Sequence, residues 1–136
     1  MALDVYLLPS VTPLVLDRRY CVCSFDEEEA AYWFLRPLFQ ELKIQTGEDI
    51  DLYDTAIFGG DNLNALTRTL DAALHVTQSQ PENWGVSTGQ QRQHSGEYTD
   101  IYVSLNKQHL LALLAQLQMA TRQVRERSQF IVFFGD

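Results

Sequence analysis

Hydrophobic positions recur along the chain with two alternating periods. A short apolar run at 5–8 is closed by Pro9 and predicts a first strand, and 19–25 predicts a second. From 26 to about 43, Ala31, Phe34, Leu35, Leu38 and Leu42 repeat every three or four residues, widened by Ala30, Trp33 and Phe39, so a helix is expected there. Asp26 followed by Glu29 has the spacing of its capping start, Thr46-Gly47 ends it, and Pro37 is expected to kink or split it. A short alternating strand is read at 50–53 and a turn at 54–60. Asp61 is read as the N-cap of a second helix carried by Leu63, Leu66, Leu70, Ala73, Leu74 and Thr77. Residues 80–96 are polar and Gln-rich with Pro81, Gly85, Gly89 and Gly96, and read as a loop or a weak hairpin around Trp84 and Val86. A strand at 98–105 follows, then Asn106 as the cap of a third helix over 107–127, seamed by Leu110, Leu114, Leu117 and Val124. The closing run 130–134 is apolar without alternation, the pattern of a central strand covered on both faces.

This order predicts an α/β fold bordering α+β. It is a single domain over 1–136, with a mixed sheet of four or five strands and three helices packed on it. Helices between strands favour crossovers and some parallel pairing, while the first two strands, separated by a short Pro-containing segment, could pair antiparallel. If the helices cover one face only, a second copy is expected to shield the other as a homodimer. The 136 residues, 46% hydrophobic and 21% charged, suffice for one core and exclude disordered and collagenous classes. No apolar run reaches the about 20 residues of a membrane span, and the first residues lack a basic leader, so a cytoplasmic protein is expected. Cys21 and Cys23 sit two apart in a strand and are read as structural thiols on one face.

Charge changes the picture. The net charge is −8, which argues against nucleic acid as a partner. Ten acids and two bases fall between Asp26 and Asp61, while the rest of the chain is balanced, with Arg122, Arg125 and Arg127 forming a basic corner near the end of the last helix. Glu27, Glu28 and Glu29 suit the positive end of a helix, and with Glu48, Asp49 and Asp51 they form an acidic face that would attract a basic protein. Trp84, in a polar and Gly-flanked setting, is a candidate contact anchor, or else a ring folded over the core edge.

Catalytic signals are sparse. Asp51, Asp54 and Asp61 cluster around a strand end, where converging carboxylates could hold a metal ion, but Asp61 is already read as a cap and no Gly-rich phosphate loop follows any strand. His75, His94 and His109 share no ligand spacing, and no serine has a nucleophile-elbow context. No catalytic residue, resident metal or cofactor is assigned.

The run Tyr53-Asp54-Thr55, then Phe58, a leucine-rich helix from Asp61 and a last helix leading into Phe130-Ile131-Val132-Phe133-Phe134-Gly135-Asp136 resembles small bacterial proteins of the immunity-protein kind. The resemblance covers mainly the second half and rests on no catalytic residue. It implies a compact α/β fold that neutralises a toxin by binding it. The leading expectation is therefore a non-enzymatic protein-binding module holding a basic partner on its acidic face. A small metal- or ligand-binding enzyme or regulator using the Asp51, Asp54 and Asp61 carboxylates is the first alternative, and a homodimeric structural subunit the second.

Overall fold

The computed structural model describes residues 3–25 and 29–135. Its elements are β1 (Leu3–Leu8), β2 (Cys21–Ser24), α1 (Glu29–Thr46), β3 (Thr55–Phe58), α2 (Leu63–Gln78), β4 (Asn83–Arg92), β5 (Tyr98–Asn106), α3 (Lys107–Arg127) and β6 (Phe130–Gly135). Four strands form one sheet in the order β2-β1-β6-β3, and β4 and β5 form a separate two-stranded ribbon. Three helices on a four-stranded sheet are the α/β architecture expected from the sequence. The parallel pairing expected from helix-linked strands does not occur among the described residues, because β1–β2, β1–β6 and β3–β6 are all antiparallel. The reason is connectivity: α1 joins β2 to β3 at opposite edges of the sheet, so strands linked by a helix are not neighbours.

Side-chain alternation divides the sheet into two apolar layers. Leu3, Val5, Leu7, Ala56, Phe58, Ile131 and Phe133 point to the face where α1, α2 and α3 supply Leu35, Phe39, Leu42, Leu66, Leu70, Leu114, Leu117 and Val124. Tyr6, Leu8 and Val132 form a smaller cluster on the reverse face. There the chain's own 9–20 segment contributes Val11 and Leu16, a covering that the sequence reading assigned to a second copy. β6 is central and covered on both sides, as its unalternating run predicted.

Several local expectations are corrected. The strand lies at Thr55–Phe58, inside the run read as a turn, while 50–53 is irregular chain whose Ile50 and Leu52 plug the core. Pro37 sits on the exposed side of an unbroken α1, so its missing N–H leaves the helix uninterrupted. The helix runs to Thr46, where Gly47 takes a left-handed φ of +79° and donates its N–H to the Lys43 carbonyl at 2.7 Å. Asp61 does not cap α2. Asn62 ties the preceding turn instead, accepting from the Gly59 N–H at 2.7 Å and donating to the Ile57 carbonyl at 3.2 Å. Asn106 caps α3 as expected, accepting from the His109 N–H at 3.1 Å. The cap at Asp26 lies outside the described residues.

Cys21 and Cys23 do not share a face. The β1–β2 register shifts between Val5 and Tyr6, which sends Cys23 to the main core and Cys21 to the smaller cluster. Both are free thiols, and burial pushes the Cys23 thiol up to about 12. No helix among the described residues is long and apolar enough to cross a membrane.

Candidate functional site

The Gln-rich segment that reads as loop or hairpin is the first half of a long ribbon. Gly96, at φ +88°, donates to the Gln93 carbonyl at 2.9 Å, and the Gln93 N–H donates to the Glu97 carbonyl at 2.7 Å. This is a tight turn closed by a left-handed glycine, a bulged hairpin connection that sets the register of all that follows. β4 and β5 then pair from Arg92–Tyr98 down to Asn83–Asn106, with one irregularity between Ser87 and Gly89.

The root of the ribbon is anchored and its tip is not. Leu105 and Val86 are buried, and Trp84 lies edge-on to Phe34 of α1 with ring centroids 5.1 Å apart. Beyond that root every β5 residue from Tyr98 to Ser104 is exposed. Tyr98 and Tyr102 are each 64% exposed, Ile101 41% and Val103 44%. Alternation sets Tyr98, Asp100, Tyr102 and Ser104 on one face and Thr99, Ile101, Val103 and Leu105 on the other, so the stripe that begins in the core continues past the body into solvent. On the first face the Tyr102 hydroxyl donates to Asp100 at 3.3 Å, and the Gln90 amide donates to the same carboxylate at 3.0 Å. Aromatic and β-branched side chains on an arm that its own chain leaves uncovered suit contact with another protein.

Among the sequence-predicted acids, Glu27 and Glu28 lie outside the described residues, and Glu29 opens α1. Glu48, Asp49 and Asp51 follow α1 and are half-buried rather than displayed. Asp49 pairs with Lys43 at 3.3 Å, and Asp51 accepts from the Tyr53 N–H at 3.3 Å. The Tyr32 hydroxyl is held above its ordinary value by burial and by the charges of Asp51 and Asp49, against the opposing Arg36, which brings these two acids to the flank of α1. Trp84 stands at the root of the ribbon, half-buried, so the ring folded over the core edge is the reading that fits.

Asp51, Asp54 and Asp61 have local duties. Asp54 accepts from the Thr55 N–H at 2.8 Å, where β3 begins, and Asp61 lines a shallow groove with Gln45, Thr46 and Arg68. Among the described residues no three His, Cys, Asp or Glu side chains come together to hold a metal ion. The basic corner braces α2 against α3: Arg125 donates to Asn64 at 2.9 Å and to Thr67 at 3.3 Å, and Gln118 donates to Asp71 at 3.2 Å, around a groove of about 180 Å³ that Arg122 also lines.

One polar cluster escaped the sequence reading. Asp4, buried in β1 on the reverse face, accepts from Arg18 at 2.9 Å, and the same guanidinium donates to the Tyr6 hydroxyl at 3.1 Å. The other Asp4 oxygen is buried without a hydrogen-bond partner. Asp4 lies just ahead of the 5–8 run read as the first strand, and nothing in the spacing pointed to Arg18, which arrives through the 9–20 segment. Compared with known proteins, the chain matches no family model, no curated protein and no solved structure.

Proposed function

We propose that this chain is a protein-binding module whose contact element is the β4–β5 arm. The observation that carries this reading is a ribbon rooted by Trp84, Val86 and Leu105 that exposes Tyr98 and Tyr102 on one face and Ile101 and Val103 on the other. Tyrosines offer large contact area at low entropic cost, and a root packed on α1 holds them ready to bind. The partner is basic: the net charge is −8 and ten acids lie between Asp26 and Asp61, so long-range attraction would steer a cationic surface toward the molecule. A toxin-neutralising role of the immunity-protein kind fits this scheme.

The test is affinity capture from the source cell's lysate with three baits: the native chain, a Tyr98→Ser/Tyr102→Ser variant, and a Glu48→Gln/Asp49→Asn/Asp51→Asn variant. A single basic protein retained by the native bait and lost with the tyrosine variant supports the arm as contact element. Equal recovery by the native and tyrosine baits refutes it. Loss with the acid variant alone would move the contact to the acidic connection after α1.

A further inference from the structure

We propose that the free edge of β5 pairs antiparallel with β5 of a second copy, about a two-fold axis passing through Ile101, to make a four-stranded ribbon β4-β5-β5-β4. This deepens the reading of the arm as contact element and rests on it. Among the described residues β5 is hydrogen-bonded to β4 alone, and Tyr98–Ser104 is exposed throughout, so one side of its backbone faces no other described strand. Natural sheets blunt such edges with lysine, proline or a bulge. Between Tyr98 and Leu105 the sequence Tyr-Thr-Asp-Ile-Tyr-Val-Ser-Leu has no lysine or proline and a single charge, Asp100, and its aromatic and β-branched residues favour strand pairing. The opposite edge differs. β4 carries Gly85, Gly89 and the register irregularity after Ser87, which spoil it as a template.

The turn fixes which groups the edge offers. The Gln93 N–H bonds to the Glu97 carbonyl, and antiparallel ladders alternate. The backbone groups of Thr99, Ile101 and Val103 therefore point to β4, and those of Tyr98, Asp100, Tyr102 and Ser104 point to the free edge. Two copies can then join only in registers that oppose even-numbered residues to even-numbered ones.

Charge excludes one of these registers, and side-chain matching favours another. An axis through Asp100 sets two carboxylates directly opposite each other, which is destabilising. An axis through Ile101 sets Asp100 opposite Tyr102 of the second copy, Tyr98 opposite Ser104, Thr99 opposite Val103 and Ile101 opposite itself. Tyr102 already donates to Asp100 within one chain, so its hydroxyl suits that position. The half-exposed Ile101 and Val103 of both copies then meet on one face, covering the stripe that a single chain leaves wet. A two-stranded ribbon overhanging its core is marginal alone, and four strands share the ladder. The contact is smaller than a standard interface, so pairing depends on concentration.

Sedimentation equilibrium of the full chain from about 1 µM to about 1 mM spans the affinities expected for so small a contact. The expected result is a mass rising from the 15.6 kDa of one chain toward twice that value. Tyr102→Pro, which removes an N–H from the free edge and none from the β4 ladder, should hold the mass at one chain. Independently, with Cys21 changed to Ser, mild oxidation should cross-link Ile101→Cys into a dimer and leave Thr99→Cys monomeric, because only residue 101 meets itself. A mass of one chain at every concentration, or cross-linking at residue 99 equal to that at 101, overturns the proposal. A single-chain mass with partner capture still dependent on Tyr98 and Tyr102 overturns the pairing and leaves the binding reading standing. Dimerisation with no arm-dependent partner supports the pairing and overturns the basic partner.

Discussion

Trp84 joins the arm to the body, and truncating it should loosen both. A fully buried Trp→Ala change costs about 3–5 kcal/mol, and half burial reduces this to about 2 kcal/mol. Losing the edge-on contact with Phe34 adds about 0.5–1 kcal/mol, for a total of about 2–3 kcal/mol. Trp84→Phe behaves differently. It keeps an aromatic edge against Phe34 and deletes the indole Nε1, which is buried without an acceptor, so relief of an unmade hydrogen bond offsets most of the lost volume. Urea unfolding followed by circular dichroism measures the two variants, and amide exchange across Tyr98–Asn106 reports the arm. Trp84→Ala should lower stability and speed exchange along β5, whereas Trp84→Phe should stay within about 1 kcal/mol of the native chain. A Trp84→Ala variant with unchanged stability, or a Trp84→Phe variant as damaged as Trp84→Ala, would refute this account of the root.

Other expectations follow from single contacts. Gly135→Ala should unfold the chain or lower its midpoint sharply, because a Cβ there would run into the Asp51 and Leu52 backbone; thermal melting reads this directly. Asn106→Ala should cost about 1 kcal/mol by removing the cap on α3, measured by urea denaturation. The Cys23 thiol, raised by burial from about 9 to about 12, favours its neutral form in the folded chain. Its contribution to stability is therefore complete below about pH 9 and is lost as pH rises toward 12, so denaturation midpoints should fall over that window, less steeply in Cys23→Ala. At pH 8 a thiol reagent should modify the native chain at Cys23 only after denaturant is added, as peptide mass mapping would show.

Periodicity made the helices legible. The seam of Leu110, Leu114, Leu117 and Val124 and the cap at Asn106 delimit α3 as the structure has it, and the unalternating 130–134 run gave β6 its central place. The antiparallel β1–β2 pair follows from their short connection, but the other pairing partners were not legible, because alternation tells which face a residue takes and not which strand lies beside it. β1 meets β2 through the local 9–20 connection, whereas its other neighbour, β6, is the last strand in sequence order. Residues 50–53 alternate like a strand, yet β6 takes Thr55–Phe58 as its neighbour and leaves Ile50 and Leu52 as core plugs. Cys21 and Cys23 were set on one face by simple period-two counting, which the irregularity opposite Val5 and Tyr6 breaks. The arm was half visible. Its polar first strand hides the ribbon because neither face of its tip is buried, so no hydrophobic period marks it, and only the glycine-closed turn at Gly96 betrays the register.

The β1–β6 ladder also governs when the molecule can assemble. Its paired residues, from Leu8 with Phe130 to Leu3 with Gly135, are separated by roughly 120 residues, and closing so long a loop costs about 2 kcal/mol more entropy than closing a ten-residue one. On the ribosome, the strand at the middle of the sheet is made after every other strand of that sheet. Until it emerges, β1 has only the short β2 beside it and β3 has no neighbour, so helices can form early while the apolar layers wait. The nascent chain therefore carries its stickiest strands unpaired until β6 has been made, and the sheet is committed only when that strand pairs.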